Sequence, residues 1–564
     1  MPSHLVAPKL PDRFSMNSLE ANIAALSKHQ PKLVRRMSWP VNSSHTVFGD
    51  NGKVGYRLHS SEYELSLSED QLKTIFSEVG KDRDIFVFGV GLGEVVDFLV
   101  DRFSDRKIVA WDRDPWLMRL FLMQRDYSKL LSSGNLRLYM CGDLINLIPQ
   151  IRDYNRVRHP LLKKIYHNEA GLVPSGVGSK RILMNTGGLF VDDIADSFKE
   201  LDYTPFYLDL NSISIEEIEY AIIQLMPAFV FSVNYPNGLS EVCKKYSRTL
   251  LCWEIDPSIE VPRVLPEKNE KAHIFTYRKK GIKDFLSSGF DHVEYLPLAA
   301  NMKNRKPVTL NEHERQHYSS PLSFVGSSML EQAEHHKETL ISVYRDYCRN
   351  HTIPFDQEHN PFTQVLAIQS RDFSRYQIPD LAQDLLEDFL DFFGETMPHH
   401  LDPIMLLAET AASRKRLSYL SGLGSLGLKI WGDGSWKQAE VSGARYMGPA
   451  GHKSEINKVY SGTLINLDIS RIYQMDMINM RVFDIMACGG LVFAEYSEDL
   501  NELFELDKEV VAYRTSDELV RKVKYYLENQ DEAKEIAQKG MMSVLERHTI
   551  RQRVEYILES EVLQ

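Results

Sequence analysis

The chain has 564 residues, 43% of them hydrophobic and 26% charged, and 66 basic side chains stand against 78 acidic ones for a net charge of −12. That length predicts about three or four domains, each able to bury its own core, and excludes a disordered tail, a collagen-like rod and a disulfide-stapled mini-scaffold. With no long basic run, nucleic acid is not an expected partner.

The five cysteines, Cys141, Cys243, Cys252, Cys348 and Cys488, are scattered without a C-x-x-C pair. That fits a reducing compartment and argues against a structural zinc site. The first ten residues lack the apolar run of a secretory signal. The most apolar stretch, 221–233, is broken by Gln224 and Pro227 and is shorter than the ~20 residues of a membrane span. A cytoplasmic soluble protein without a membrane span is expected.

In chain order, apolar spacing predicts a helix over 16–38 that ends in a basic turn. Residues 45–66 alternate around Asp50, Asn51 and Gly52 and predict short antiparallel strands, so 1–80 reads as a helix with short strands. From 84 the pattern changes. An apolar run at 85–88 enters Gly89-Val90-Gly91-Leu92-Gly93, a helix runs to Phe103, and strands follow at 108–111 and 136–140. This alternation predicts a parallel, doubly wound sheet, here a Rossmann-like module over 81–165. Residues 151–180 are basic and irregular and read as a linker.

A second series over 178–305 predicts strands at 181–184, 205–208, 228–233, 249–253, 273–276 and 293–296, with helices near 190–201 and 214–226. Residues 301–319, with Lys303, Arg305 and Lys306, read as a hinge. A third series over 318–548 opens with a strand at 322–325 and carries a helical insertion at 330–422. Strands resume at 428–431, 464–467 and 491–495, and helices then run to the C-terminus. Within the insertion, Leu381, Leu385, Leu386, Phe389, Phe392 and Phe393 recur at helical spacing between acids. That predicts an amphipathic helix packed on its own domain, with a partner-binding helix as the alternative.

The stretch 464–504 carries the strongest chemical signal. Asp476 precedes Met477-Ile478-Asn479-Met480-Arg481, a helix carries Asp484, and Gly489-Gly490 ends it. Open N–H groups and the positive end of the helix dipole attract phosphate, and a carboxylate further along the helix can accept ribose hydroxyls. The spacing suits a nucleoside diphosphate. The plainer alternative makes Asp476 a helix cap and Asp484 a solvated residue.

Phe483-Asp484-Ile485-Met486-Ala487-Cys488-Gly489-Gly490-Leu491-Val492 resembles the E-A-x-A-C-G-x-P-V signature of GT-B glycosyltransferases, and more narrowly the CgeB-like (spore-maturation-type) enzymes. The resemblance extends to Trp253-Glu254-Ile255-Asp256-Pro257, to Tyr295-Leu296-Pro297-Leu298-Ala299-Ala300 and to Phe324-Val325-Gly326. It implies an α/β protein of the GT-B fold, two Rossmann-like domains facing a cleft, with a final helix over 549–564 returning to the first domain. It implies a nucleotide-sugar donor, no further cofactor and no metal. The donor-binding residues it points to are Gly187, Gly188, Ser327, Lys453, Asp476, Asn479, Arg481 and Asp484. Asp256 is the expected acceptor-side catalytic residue, with a capping or turn carboxylate as the alternative, and Arg481 or Lys453 is the expected cation against the leaving diphosphate. Two departures stand out. The family's paired glutamates are Asp476 and Asp484 here, one methylene shorter, and Ser327, Ser328 and Met329 replace its usual basic pair.

In the N-terminal module, Gly89, Gly91 and Gly93 with Asp112 nineteen residues further form a nucleotide-type fingerprint. The module resembles class I methyltransferases, and still more the N-terminal region of Maf-type (motility-associated) flagellin glycosyltransferases, in which Leu58-His59-Ser60 precedes such a loop. Too few residues follow Asp143 for three more strands, so a degenerate module that docks a protein acceptor is expected. Asp112-Arg113-Asp114 also spells the D-x-D metal motif of a different fold, by coincidence on this reading. His335-His336 and His399-His400 read as surface residues. The resulting expectation is a glycosyltransferase acting on a protein, flagellin among the candidates, or on a surface glycan. The alternatives are a non-catalytic glycosyltransferase-like scaffold and an S-adenosylmethionine-dependent methyltransferase.

Overall fold

The computed structural model of the protein describes residues 10–49, 53–58, 61–77, 79–80, 82–103, 105–186, 188, 190–210, 212–256, 262–398, 401–439 and 441–563. The first segment is two helices, Met16–Leu26 and Pro31–Met37, rather than the one expected over 16–38. The chain breaks where Pro31 restarts it, and the Gln30 side chain leaves to bond both backbone groups of Leu138. Strands β1 (Thr46–Phe48), β2 (Val54–Leu58) and β3 (Ser61–Glu64) pair antiparallel as expected. The 50–52 turn lies outside the described residues.

A four-stranded parallel sheet follows, built from β4 (Ile85–Phe88), β5 (Ile108–Asp112), β6 (Leu136–Met140) and β7 (Asn155–Arg158) in the order β6-β5-β4-β7. The stretch 151–180 is therefore not a linker: it supplies β7 and the helices Leu162–Ile165 and His167–Ser175. β7 is an edge strand in which only Val157 is buried, so its basic side chains hid it.

The next six strands are β8 (Lys180–Asn185), β9 (Tyr203–Leu208), β10 (Val230–Val233), β11 (Leu250–Glu254), β12 (Ala272–Thr276) and β13 (His292–Tyr295). They form a wholly parallel sheet in the order β13-β12-β11-β10-β8-β9. The last six are β14 (Ser320–Val325), β15 (Leu428–Trp431), β16 (Arg445–Gly448), β17 (Thr463–Leu467), β18 (Leu491–Glu495) and β19 (Val511–Tyr513). Their order is β16-β15-β14-β17-β18-β19, again all parallel. Both are doubly wound sheets, each with a point where successive strands diverge to opposite sides. Two Rossmann-like domains meet across a cleft, which is the GT-B arrangement.

β16 and β19 are additions to the expected strands, and helix Glu312–Tyr318, with an Asn311–Glu314 capping box, lies in the expected hinge. The helical stretch after β14 is four helices, Leu330–His351, Pro361–Gln369, Ile378–Thr396 and Pro403–Ser421. They make up the crossover from β14 to β15. Leu386, Phe389 and Phe393 bury their side chains in this domain's own core.

The packing joins all parts. One face of the β8–β13 sheet shares a core with the N-terminal module, and the other shares a core with helices Met480–Ala487 and Ile550–Leu558 of the last domain. Helix Ile550–Leu558 returns to the first domain, where Arg553 bonds the carbonyls of Pro297 and Leu298. Buried Arg36 bonds Asp143 at 2.7 Å and Glu217 at 2.9 Å, which locks the N-terminal helices to both neighbours. Among the described residues, no helix is long and apolar enough to cross a membrane.

Candidate functional site

The last domain's strands diverge between β14 and β17, and ligands of such sheets bind at the carboxyl ends of the strands there. Residues 326–329 leave β14 at this point. Met329 starts the following helix at φ 60°, a left-handed conformation that a methionine adopts only under strain. Asn479 caps helix Met480–Ala487: its Oδ1 accepts from the Arg481 N–H at 2.9 Å, and its Nδ2 donates to both Asp468 oxygens at 2.9 and 2.8 Å. Arg481 ion-pairs with Asp468 and lies 5.6 Å from the centre of the Phe324 ring. The expected residues Ser327, Asn479 and Arg481 thus belong to one cluster.

A residue that the sequence reading passed over completes the cluster. Arg416, on helix Pro403–Ser421, donates from Nη1 to the Ser327 carbonyl at 2.6 Å. Its guanidinium lies 5.8 Å from the Phe324 ring, and its Nε has no hydrogen-bond partner. Each neighbouring cation has its own carboxylate: Arg481 has Asp468, Arg471 has Glu409 and Lys415 has Glu495. Among the described residues Arg416 has none. It is only 5% exposed, and burial, with Arg481 and Arg471 nearby, pulls its pKa down to about 9. A buried cation without a counter-ion is costly by several kcal/mol, and an anion in front of Ser327 would relieve that cost. Where the basic pair is missing after β14, Arg416 comes in beside Ser327 from a helix 89 residues away in sequence.

A cavity of 440 Å³ lies in the cleft, lined from the first domain by Glu254, Asp256 and Arg278 and from the second by Tyr376, Asp402 and Tyr473. Arg278 Nη2 donates to both oxygens of Asp476, at 2.7 and 2.9 Å, and to the Tyr473 carbonyl at 3.4 Å. The Tyr473 hydroxyl meets Arg471 and Glu409, which connects this cavity to the guanidinium cluster. Asp256 is exposed and held in a turn, its Oδ2 accepting from Asn234 Nδ2 at 2.8 Å. Glu254, two residues earlier, is buried at the end of β11, and burial pushes its pKa up to about 7. The Tyr235 N–H and the Cys252 thiol both donate to its Oε1. An acid closing a fully apolar strand was the available signal for Glu254.

The expectation that Asp484 offers a free carboxylate is corrected. Asp484 is 4% exposed, and its Oδ2 accepts from Arg305 Nε at 2.8 Å. Arg305 folds back from the interdomain segment and also reaches the carbonyls of His452 and Lys453. Burial raises the Asp484 pKa to about 6, and Arg305 limits that rise. The Arg481 N–H is likewise not open, since Asn479 caps it. Asp476 is held by Arg278, so both expected donor acids are tied to arginines outside the last domain's sheet. Gly188 and Lys453 line a second cavity, of 830 Å³, with Arg305 and Met480. Gly187 lies outside the described residues, as do His399 and His400.

In the N-terminal module, Gly89, Gly91 and Gly93 follow β4, and Asp112 ends the neighbouring β5, as expected. The loop is filled by the chain itself. Asp112 accepts from the Val90 and Gly91 N–H groups at 2.8 and 3.3 Å, from the Asp114 N–H at 3.0 Å and from the Tyr166 hydroxyl at 2.9 Å. A Cβ on Gly91 would stand 2.8 Å from the His159 ring, and one on Gly89 2.8 Å from Leu162. The acid that would take ribose hydroxyls in a working fingerprint is spent on its own backbone. Asp114 of the D-x-D string faces inward and pairs with His45.

Residues 410–559 match the family model described as glycosyl transferase-like. The likeness is to this segment alone. The segment contains Arg416, Arg471, Asp476, Arg481 and Asp484. No curated protein compared matches the chain. Among solved structures, a glycosyltransferase from Rickettsia africae ESF-5 is 13% identical, with 68% of this chain and 98% of that chain covered and a TM-score of 0.38. HepE from Anabaena, in complex with UDP-glucose, is 11% identical, with 67% and 98% covered and a TM-score of 0.36. The MAf glycosyltransferase of Magnetospirillum magneticum AMB-1 is 11% identical, with 51% and 57% covered and a TM-score of 0.21.

Proposed function

We propose that the protein is a glycosyltransferase that moves a sugar from a nucleoside-diphosphate donor to an acceptor hydroxyl in the cleft. The observation that carries this reading is Arg416, a buried cation without a carboxylate, beside Ser327 and Arg481 at the point where β14 and β17 diverge. With the glycosyl transferase-like match over 410–559, the anion that fits there is the donor's diphosphate.

The 440 Å³ cavity supplies the reacting end. On this reading Glu254, in place of the expected Asp256, takes the proton of the acceptor hydroxyl. The acceptor oxygen bonds to the anomeric carbon as that carbon's bond to the diphosphate oxygen breaks. Arg416 and Arg481 hold the charge that builds on the leaving nucleoside diphosphate. A single displacement of this kind inverts the anomeric centre. A metal-independent reaction, a cytoplasmic setting, CgeB-like or Maf-like specificity, and a protein such as flagellin or a surface glycan as acceptor are expectations from sequence resemblance that belong to this proposal.

The test is turnover. The full chain is incubated with a panel of nucleoside-diphosphate sugars, and release of the nucleoside diphosphate is followed with and without added acceptor sugars and flagellin. Release from one donor, abolished in Arg416→Met, supports the reading. Lack of both binding and release across the panel would leave a non-catalytic scaffold.

A further inference from the structure

The 830 Å³ cavity is walled by all three parts of the chain: the N-terminal module, the first domain and the glycosyl transferase-like segment. Its charge runs against that of the whole chain. Six cations line it against three carboxylates, in a protein with 66 basic and 78 acidic residues. The three carboxylates are already committed. Asp192 accepts from His167 and Tyr207, Asp193 from Asn301 and Asn304, and Asp196 pairs with Lys199. Of the cations, Lys199 is taken by Asp196 and Arg305 by Asp484. Arg158, Lys163, Lys164 and Lys453 pair with no carboxylate among the described residues.

We propose that this cavity is a second anion subsite, which takes a phosphate group carried by the acceptor, and that the N-terminal module contributes Arg158, Lys163 and Lys164 to it. Four uncommitted cations around one cavity exceed the single charge of a carboxylate and suit the roughly two charges of a phosphate monoester. The module's own glycine loop is closed by His159, Leu162 and Tyr166. Its residues after β7 therefore act in the cleft instead of around a nucleotide of their own. The role of the bound group as part of an acceptor rests on the sugar-transfer reading; the anion subsite itself does not.

The experiment is calorimetric titration of inorganic pyrophosphate into the full chain. Two sites are expected, one at Arg416 and one in this cavity. Lys163 and Lys164 are exposed, so Lys163→Glu/Lys164→Glu folds normally, as thermal melting would verify. That variant loses one site, with affinity there falling at least about tenfold, while Arg416→Met loses the other. Loss of a site in the lysine variant upholds the subsite even if Arg416→Met changes nothing and the sugar-transfer reading fails. Unchanged binding in a folded lysine variant overturns the subsite and leaves that reading standing.

Discussion

Arg278 and Asp476 join the two domains across the cleft, with one guanidinium nitrogen reaching both carboxylate oxygens at 2.7 and 2.9 Å. Lys279 adds a second link, to Asp499 at 3.1 Å and Glu502 at 2.5 Å. The cleft is thus held partly shut by the acid that the sequence assigns to the donor.

Replacing Arg278 separates stability from closure. The pair is partly exposed, so Arg278→Ala costs at most about 1 kcal/mol of unfolding free energy. Hydrogen exchange over 472–480, however, speeds up as that segment loses its hold on the first domain. Unaltered exchange there would show that the pair does not secure the cleft.

The Arg305–Asp484 pair behaves differently because both side chains are nearly buried, at 11% and 6% exposed. Arg305→Ala strands a buried carboxylate and costs about 3–5 kcal/mol. In the intact protein the Asp484 pKa, about 6, is raised above its ordinary 3.8. Its contribution to stability is therefore full below about pH 4 and is lost as pH rises through 6. Without Arg305 the folded-state pKa climbs further, so the loss continues above pH 6. Urea unfolding at pH 5.5 and pH 8 reads this: the variant's penalty is larger at pH 8. Arg305→Ala/Asp484→Asn removes the difference. A penalty independent of pH would contradict the pairing.

Parallel strands such as β4, β8, β10 and β14 are legible in the sequence because each carries a buried, mostly apolar stretch. The strands that escaped, β7, β16 and β19, are all sheet edges. β7 and β16 carry polar, partly exposed residues, and β19, although buried, is only three residues long. The motif over 476–490 drew attention to a segment where Asn479 and Arg481 both meet Asp468. The partners of these residues were not legible. Arg305 meets Asp484 across 179 positions, Arg416 meets Ser327 across 89 and Arg278 meets Asp476 across 198. No local spacing encodes such pairs.

On the proposed reading, Glu254 sets the pH dependence of transfer. A base must be ionised to take the acceptor proton, and burial raises its pKa to about 7. The rate therefore climbs with pH through about 7 and levels above it. Glu254→Gln lowers the maximal rate by about a hundredfold or more while donor affinity holds. Asp256→Asn retains the profile. If Asp256→Asn abolishes turnover and Glu254→Gln does not, the roles are reversed.

The closed glycine loop gives a stability prediction. Gly91 has φ +55°, and an added Cβ would meet the His159 ring at 2.8 Å. Gly91→Ala therefore costs about 2–4 kcal/mol, from left-handed strain and overpacking together. His159→Ala in the same chain relieves part of that cost. S-adenosylmethionine leaves the melting temperature of the unmodified chain unchanged. A melting shift with S-adenosylmethionine would show that the loop opens for a nucleotide-type ligand.

The central claim is that the uncompensated guanidinium of Arg416 marks the donor's diphosphate site, and Arg416→Met tests it most directly. Methionine fills a similar volume without charge, and removing a buried unpaired cation does not destabilise a fold. The measurement is nucleoside-diphosphate affinity by calorimetry beside the unfolding free energy, for the unmodified and variant chains. The account predicts stability equal to or above the original and an affinity lower by about tenfold or more. Undiminished affinity in the stable variant would contradict it.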